Sequence, residues 1–551
     1  MQNITVKVIS ALEKVMPDSE PKREEGGACI LQNERYHFQL AFYNPDAAPL
    51  NGCTLGISGA AADKVTMRVV EHCPVNYTIP DDGYVVSDAP GLYPDILRPL
   101  NAADLCLRPR RFTSVWVTAE KLPAGRSEFL FTLKDASGNG LCAASAVVEV
   151  LPVCAVKNRL IYTNWMHYDC ISDAEFMSAE YAAALKKYVD NAVGHGVNVI
   201  YTPLFTPPLD TAVGTERRTV QLVGVTQKGS GYEFDFSPLG RFLDSAFARG
   251  IEYAEFSHLF TQWGASACPK IIARTANGHK RVFGWETPSD DPSYLAFLDA
   301  FLPELVSYIK ARGIADKCFF HLSDEPNKEH LDRYIKLSAF VKARAGGVKF
   351  IEALSLYEYF EKGLVDIPVV ATDHADAFIK NGAPFWAYYC CGQHEGGLSN
   401  RFIAMPPQRT RIIGFQLYLN GCAGFLHWGY NFYNTFLSLA KIDPYHTSDA
   451  GGAFPAGDAF IVYPGADGPL DSVRNEIMYD AVQDYNAACL LGDLTSPEYA
   501  RGWLCDRGVK SGFTDYPKSA ARHIEIRREL NRKLQELSSG ATKIEEHKEG
   551  A

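Results

Sequence analysis

Asp324 and Glu325 are adjacent carboxylates, placed directly after the apolar run Cys318-Phe319-Phe320-His321-Leu322-Ser323 and directly before Pro326. Such a run reads as a buried strand that ends in acid, with Pro326 forbidding further ladder pairing. Proline also holds the residue before it extended, so Glu325 is expected in the extended region, and the two carboxylates share one pocket only if the backbone turns at the strand end. Paired carboxylates in that position suit acid/base chemistry on a glycosidic bond. The plainer alternative is that the Asp-Glu-Pro triplet opens the helix beginning near Asn327, since acidic residues are favoured in a first turn.

The elements that would position this pair are legible around it. From Asn158 onward, apolar runs of strand length alternate with stretches of helical period. The expected strands are 160–165, 197–204, 251–256, 318–323, 349–354, 368–372, 384–390 and 424–430, which is the number a (β/α)8 TIM barrel requires. Helices are expected over 174–194, 239–248, 292–312, 328–345, 375–381 and 406–420, and a hairpin over 217–236 decorates the second strand. A doubly wound open sheet is the rival architecture, weakened because no G-x-G-x-x-G or phosphate-loop pattern opens a helix. Residues 1–152 instead alternate over short runs broken by turns such as Ser137-Gly138-Asn139-Gly140, which predicts an antiparallel β-sandwich. The expected division is an N-terminal β-sandwich over 1–152, a catalytic barrel over 158–491, and a C-terminal helical extension with a charged tail over 492–551.

In a barrel the active centre gathers at the C-terminal strand ends. Here those ends carry Trp165, His258, Asp373, Trp386, Tyr388, His427, Trp428, Tyr430 and Asn431 beside Asp324 and Glu325. Aromatic rings next to carboxylates and amides form a sugar-binding texture, because the C–H faces of a pyranose stack on rings while its hydroxyls need fixed polar partners. Any one of these rings could equally be core; five strand ends sharing the pattern point to a cleft that takes a glycan or glycoconjugate.

The composition narrows the alternatives. At 551 residues, 47% hydrophobic and 22% charged, the chain is that of a globular protein with several cores. A formal net charge of −11 without a Lys/Arg cluster argues against nucleic-acid or anionic-membrane partners. No apolar stretch is long enough to span a bilayer, and the N-terminus lacks a signal-type segment, so the chain as given reads as cytoplasmic, or as secreted if a signal peptide has been removed. The 14 cysteines are scattered, several of them (Cys106, Cys142, Cys318, Cys422) inside apolar runs, which suggests reduced core thiols. Cys390 and Cys391 are adjacent, a poor spacing for a zinc knuckle, so no metal is expected there. The oligomeric state is not legible.

The segments His321 to Pro326, Phe385 to Cys391, Gly424 to Asn431 and Gly457 to Gly465, with Ser472, Arg474, Asp484 and Tyr485, resemble the catalytic domain of glycoside hydrolase family 123. The resemblance extends over most of the chain, including the Pro-Gly-Leu-Tyr-Pro-Asp segment ending at Asp95. It implies a β-N-acetylgalactosaminidase-like activity with Asp324 and Glu325 as the catalytic pair and no metal or organic cofactor. Thr372-Asp373-His374 and His427 depart from the family pattern and are the positions expected to tune sugar specificity.

An adjacent pair is too close to flank a glycosidic bond as separate strands could. The substrate's 2-acetamido oxygen can serve as nucleophile instead, with Asp324 stabilising the oxazolinium-like intermediate and Glu325, its pKa raised towards about 6, acting as acid and then base. A glycosidase for other sugars would need a separate nucleophile, for which Asp373 and Glu352 are the candidates. A non-catalytic carbohydrate-binding protein is the remaining alternative, disfavoured by the intact pair. Residues 93–95 read as part of a structured loop, Arg474 as a buried ion-pair partner, the helices over 471–491 and 496–504 as closing the barrel, and the polar tail from Ser538 as solvated.

Overall fold

The computed structural model describes residues 4–549 apart from 24 and 26. The tail expected from Ser538 lies, from residue 540 on, outside the residues whose side chains are described.

Two five-stranded sheets form the N-terminal part. One is ordered Thr5–Ser10, Tyr36–Asn44, Arg111–Ala119, Val65–Val75, Gly91–Pro99; the other Ala28–Gln32, Gly140–Cys154, Gly125–Lys134, Leu50–Ser58, Leu105–Leu107. Alternate residues of both point into one core, where Phe38 meets Phe131 edge-on with ring centroids 5.8 Å apart. Two features depart from the expected antiparallel sandwich. Ala28–Gln32 runs parallel to Gly140–Cys154, and residues 93–95 belong to a strand, not a loop. The same alternation turns Cys106 outward, so it is exposed and Cys142 half-buried, whereas Cys318 and Cys422 are buried; all 14 thiols are free.

The barrel follows. Its strands are β1 (Ile161–Asn164), β2 (Val199–Thr202), β3 (Tyr253–Phe256), β4 (Cys318–Phe320), β5 (Lys349–Leu354), β6 (Ile367–Ala371), β7 (Trp386–Tyr388) and β8 (Gly424–His427). Every neighbouring pair is parallel, and β8 pairs back onto β1, with Ile161 opposite Gly424 and Asn164 opposite His427. That closure removes the open-sheet rival. Helices occupy the expected connections, and a short one that the periodicity did not suggest, Tyr357–Glu361, lies between β5 and β6. The predicted hairpin is Gly224–Lys228 with Gly231–Asp235; it joins a second hairpin, Ile271–Thr275 with Gly278–Phe283, in a four-stranded sheet.

The helix Val473–Leu494 does more than close the barrel. It is buried on nearly every side, and the buried residues include Arg474, Glu476, Asp480 and Asp484. Their charges are matched by groups from both neighbours: His37 from the N-terminal sheets lies 3.0 Å from Asp480, and Arg411 from the barrel's last helical connection lies 2.8 Å from Asp484. Arg474 is an ion-pair partner, holding Asp95 through Nε at 3.0 Å and Nη2 at 2.9 Å. The last helix, Ala520–Glu549, packs back onto both parts: His523 approaches Asp484 at 2.8 Å, and Asn531 Nδ2 donates to the Cys29 carbonyl at 2.7 Å. Among the described residues no helix is long and apolar enough to cross a membrane.

Candidate active site

The end of β4 is tied down by a single carboxylate. Oε2 of Glu352, on β5, accepts from the Leu322 N–H (3.1 Å), the Ser323 N–H (2.9 Å) and the Tyr334 hydroxyl (2.7 Å), while Oε1 lies 3.3 Å from His321 Nδ1. His321 bridges to Glu255 on β3 through Nε2 at 2.6 Å. Burial opposes charge on this imidazole, yet its hydrogen bonds to Glu255 and Glu352 outweigh burial and raise His321 to about 9. The inside of the barrel beneath the strand end is thus a fully bonded carboxylate, imidazolium, carboxylate bridge, which a buried charge requires.

Above it the chain turns sharply. Glu325 sits at φ 45°, in the left-handed region and not the extended one expected before Pro326. A non-glycine residue there costs about 1–3 kcal/mol and persists only where its surroundings over-determine it. They do so here: the Glu325 N–H donates to the Ala353 carbonyl at 3.1 Å, and the Asp324 carbonyl accepts from the Trp263 N–H at 3.0 Å. The helix-start alternative for the triplet is overturned, because Asn327 caps that helix, its Oδ1 accepting from the Glu329 N–H at 3.0 Å.

The turn brings both carboxylates into one cavity at the C-terminal mouth of the barrel. Trp165, Trp428, Trp263, Phe436 and Phe454 supply its aromatic walls, and Tyr388, Asp210 and Gln262 its polar groups. Trp263 is 47% and Phe436 37% exposed, which leaves two bare rings at the rim. The Tyr388 hydroxyl donates to Glu325 Oε1 at 2.7 Å. Among the described residues no donor reaches the Asp324 carboxylate. Burial, then the negative charges of Glu325, Glu352 and Asp210, raise Asp324 well above the ordinary carboxylate range, with His321 pulling the other way. A carboxylate so surrounded holds a proton where an isolated one would have lost it.

Of the residues expected to bind substrate, Trp165, Tyr388 and Trp428 line this cavity. Trp165 is anchored by its Nε1 donating to Glu255 at 2.7 Å and Trp428 by its Nε1 donating to Asp458 at 3.0 Å. The others lie elsewhere. Trp386 faces inward, but one strand layer deeper, where it meets Phe319 edge-on at 5.3 Å; a Cβ on Gly424 would come within 2.3 Å of its indole, so glycine there makes room for the barrel floor. His258 is buried behind Trp165, stacked 4.3 Å from His321 and bonded to the Tyr201 hydroxyl at 3.0 Å; burial and the His321 charge hold it well below an ordinary histidine, neutral. His427 points out of the barrel because strand alternation turns Leu426 inward; it accepts from the Gly429 N–H at 3.0 Å. Tyr430 reaches the helix Ala179–Gly194, donating to Asn191 Oδ1 at 2.7 Å. Asn431 staples two loops, accepting from the His167 N–H at 2.8 Å and donating to its carbonyl at 3.2 Å.

The alternative nucleophiles are also displaced. Glu352 is fully occupied below the floor, and Asp373, half-exposed, is engaged by His374 Nδ1 at 2.8 Å and by Gln393 Nε2 at 3.1 Å outside the cavity lining. The carboxylate that does face the cavity besides the pair is Asp210, which sequence reasoning missed. It follows β2 in a loop, at φ 47°, with its N–H donating to Gln262 Oε1 at 2.6 Å. Burial raises it to about 6 against the opposing Arg217 charge. Phe436 and Phe454 come from the long excursion after β8 and were likewise missed; for Phe454 the available signal was an aromatic directly after Gly451-Gly452-Ala453.

The sequence matches the family model described as glycoside hydrolase 123, catalytic domain, over residues 165–491, more than half of the chain. The chain belongs to glycoside hydrolase family 123. Within this family 123 domain fall the whole cavity, Asp324 and Glu325, and all but the last three residues of the helix Val473–Leu494 that carries Arg474. Among solved structures, a family 123 glycoside hydrolase from Clostridium perfringens, studied for glycolipid glycan hydrolysis, is similar with a TM-score of 0.73 at 12% identity, over 99% of this chain and 100% of that one. At that identity the likeness is one of fold, sheets and barrel together. A GH5 xyloglucanase from Bacteroides ovatus is similar over 87% of this chain and 100% of its own, at 8% identity and a TM-score of 0.32. No curated protein matches the sequence. As a family 123 member the protein is a glycoside hydrolase.

Proposed function

We propose that this glycoside hydrolase is an N-acetyl-β-hexosaminidase, of β-N-acetylgalactosaminidase type, that cleaves a terminal 2-acetamido sugar from a glycoconjugate such as a glycolipid glycan, with the 2-acetamido group as nucleophile. The observation that carries the reading is the pairing in one aromatic-walled cavity of Glu325, held by the Tyr388 hydroxyl, with Asp324, whose carboxylate has no protein donor among the described residues. A carboxylate left without a protein donor is set to take one from the ligand. The acetamido N–H supplies it and draws the negative charge of the pair onto Asp324, which leaves the proton on Glu325 as general acid.

The acetamido oxygen then attacks the anomeric carbon as the bond to the departing oxygen breaks and the Glu325 proton moves onto that oxygen. Asp324 opposes the positive charge that spreads over the resulting ring. Water adds to the anomeric carbon, gives its proton to Glu325, and reopens the ring to the N-acetyl sugar, with retained configuration. Trp165, Trp428 and the rim rings Trp263 and Phe436 supply faces for the sugar and its aglycone. The test is hydrolysis of aryl β-glycosides with and without a 2-acetamido group: turnover confined to the acetamido substrates supports the reading, and equal turnover of both removes it.

One observation favours a second reading. Asp210 faces the same cavity and could serve as a separate nucleophile or base for a sugar without an acetamido group. Asp210→Asn separates the two: loss of turnover by about 10³-fold or more, with azide restoring it, would make Asp210 the nucleophile.

A further inference from the structure

Three loops at the mouth of the catalytic cavity turn apolar side chains outward. They are residues 209–215 after β2, 261–267 after β3 and 435–440 after β8. Val213 is 80% and Leu439 69% exposed, and with the half-bare rings of Trp263 and Phe436 they put four large apolar side chains in solvent around one opening. An apolar residue exposed singly needs no explanation; four on adjoining loops do. The loops are bound to one another. The Ala212 N–H donates to the Leu437 carbonyl at 3.0 Å, the Ser438 hydroxyl to the Asp210 carbonyl at 2.6 Å, and the Asp210 N–H to Gln262 Oε1 at 2.6 Å.

Their backbone is strained to make this shape. Asp210, Trp263, Ala265, Leu437 and Ser438 sit at φ between 47° and 56°, five of the twelve non-glycine residues with positive φ among the described residues. Strain of that kind gathers where function needs a fixed shape. Charge is missing from the same surface. In the whole chain 22% of residues are charged, yet the three loops hold one ionisable side chain, Asp210, and it faces the cavity. The charges at their edges are paired off: Glu216 lies 2.7 Å from Lys270 and 2.5 Å from Arg281, Arg281 lies 2.9 Å from Glu286, and Lys441 lies 2.6 Å from Asp173. A surface made for another protein is expected to carry arginines and hydrogen-bonding groups around its apolar centre. Uncharged apolar tips with a tryptophan among them suit the interfacial layer of a bilayer. The chain's net charge of −11 disfavours an anionic surface and leaves a zwitterionic one.

We propose that loops 209–215, 261–267 and 435–440 form a docking surface for a zwitterionic lipid bilayer, with Val213, Trp263, Phe436 and Leu439 entering its interfacial layer. The cavity mouth is then held against the headgroups, where the glycan of a glycolipid stands. The docking surface rests on catalysis taking place in this cavity, and not on which sugar is cleaved. Four side chains enter the bilayer only in part, so the attachment is no stronger than the marginal, reversible one of a single acyl chain.

The test is co-sedimentation of the full chain with phosphatidylcholine vesicles that contain no glycolipid, beside hydrolysis of a soluble aryl β-glycoside. Wild-type protein is expected to bind, with little change on raising salt, and its tryptophan fluorescence to be quenched by brominated phosphatidylcholine, less so in Trp263→Phe. Val213→Ser with Leu439→Ser is expected to bind vesicles about tenfold more weakly or worse. Its Tm and its turnover of the soluble substrate are expected to match wild type, since both side chains are exposed and neither lines the cavity. If that variant does not fold, the salt-independent binding and the quenching in the unaltered protein decide the matter. Wild-type protein that stays in the supernatant overturns the proposal, and so does binding that is equal in the double variant. Binding that requires phosphatidylserine and vanishes in salt belongs to a charged surface elsewhere and overturns it too. Self-association of the wild type that the double variant lacks would assign the loops to a second copy of the chain, with the same result. Vesicle binding by an enzyme that turns over no acetamido substrate keeps the docking surface and removes only the sugar assignment.

Discussion

The hydroxyl of Tyr388, at the end of β7, holds Oε1 of Glu325 at 2.7 Å, while its neighbour Asp324 is left without a donor among the described residues. Two carboxylates adjacent in sequence therefore sit in unlike environments, and unlike environments are how one site runs acid and base roles at one pH. Burial and the Glu325 charge raise Tyr388 itself well above an ordinary tyrosine, so its proton stays in place to be donated.

The first prediction separates the pair. Glu325→Gln is expected to lower turnover by about 10²–10⁴-fold for substrates with poor leaving groups and far less for activated aryl glycosides, which need little protonation. Asp324→Asn is expected to impair both kinds alike and to weaken inhibition by an N-acetyl-thiazoline analogue of the bicyclic intermediate. Parallel leaving-group dependence in the two variants would contradict the assigned roles.

Tyr388→Phe removes a hydrogen bond to a charged group without opening space. A loss of about 10–100-fold in kcat/KM is expected, which corresponds to about 1.5–3 kcal/mol, with unfolding hardly changed. Wild-type kinetics in this variant would show that Glu325 needs no such holding.

Glu352 and Asp373 should part company. Glu352→Ala strips the partner from Leu322, Ser323, Tyr334 and His321 at once and leaves a buried imidazole half-paired, so destabilisation of about 3–5 kcal/mol is expected. Asp373→Asn, at the half-exposed rim, is expected to change denaturant midpoint and turnover by less than about twofold. A dead but stable Glu352 variant would return it to the list of nucleophiles.

Asp458 sets a pH dependence. Burial, opposed by the Arg401 charge and the Trp428 hydrogen bond, raises it to about 7 from 3.8. The folded state thus keeps a proton that the unfolded state loses. The associated stability is fully present below about pH 3.8 and is lost as pH rises to about 7, by up to roughly 4 kcal/mol. Asp458→Asn, which still accepts from Trp428, removes this component. Its Tm relative to wild type is expected to climb between about pH 4 and 7 and to level off above that; a pH-independent difference would show that Asp458 is ionised throughout.

The sequence by itself determined the barrel and the pair. Parallel strands buried on both faces read as short continuous apolar runs, so eight of them separated by helical stretches are countable, and the abrupt break from Phe319-Phe320 to Asp324-Glu325 is a local event that needs no partner to be seen. Tertiary structure alone decided depth, direction and strain. Trp386 and Tyr388 share a face of β7, yet one fills the floor and the other touches Glu325, because depth along a strand is measured against the other seven. His427 and Trp428 are neighbours in the chain, but only Trp428 lines the cavity, because β8 turns Leu426 inward and leaves His427 outward. Asp210 entered the cavity through the path of a loop, which no periodicity encodes. Glu325 took the left-handed region against the local rule for a residue before proline, because the Ala353 carbonyl and the Tyr388 hydroxyl, distant in sequence, together hold what local sterics alone disfavour.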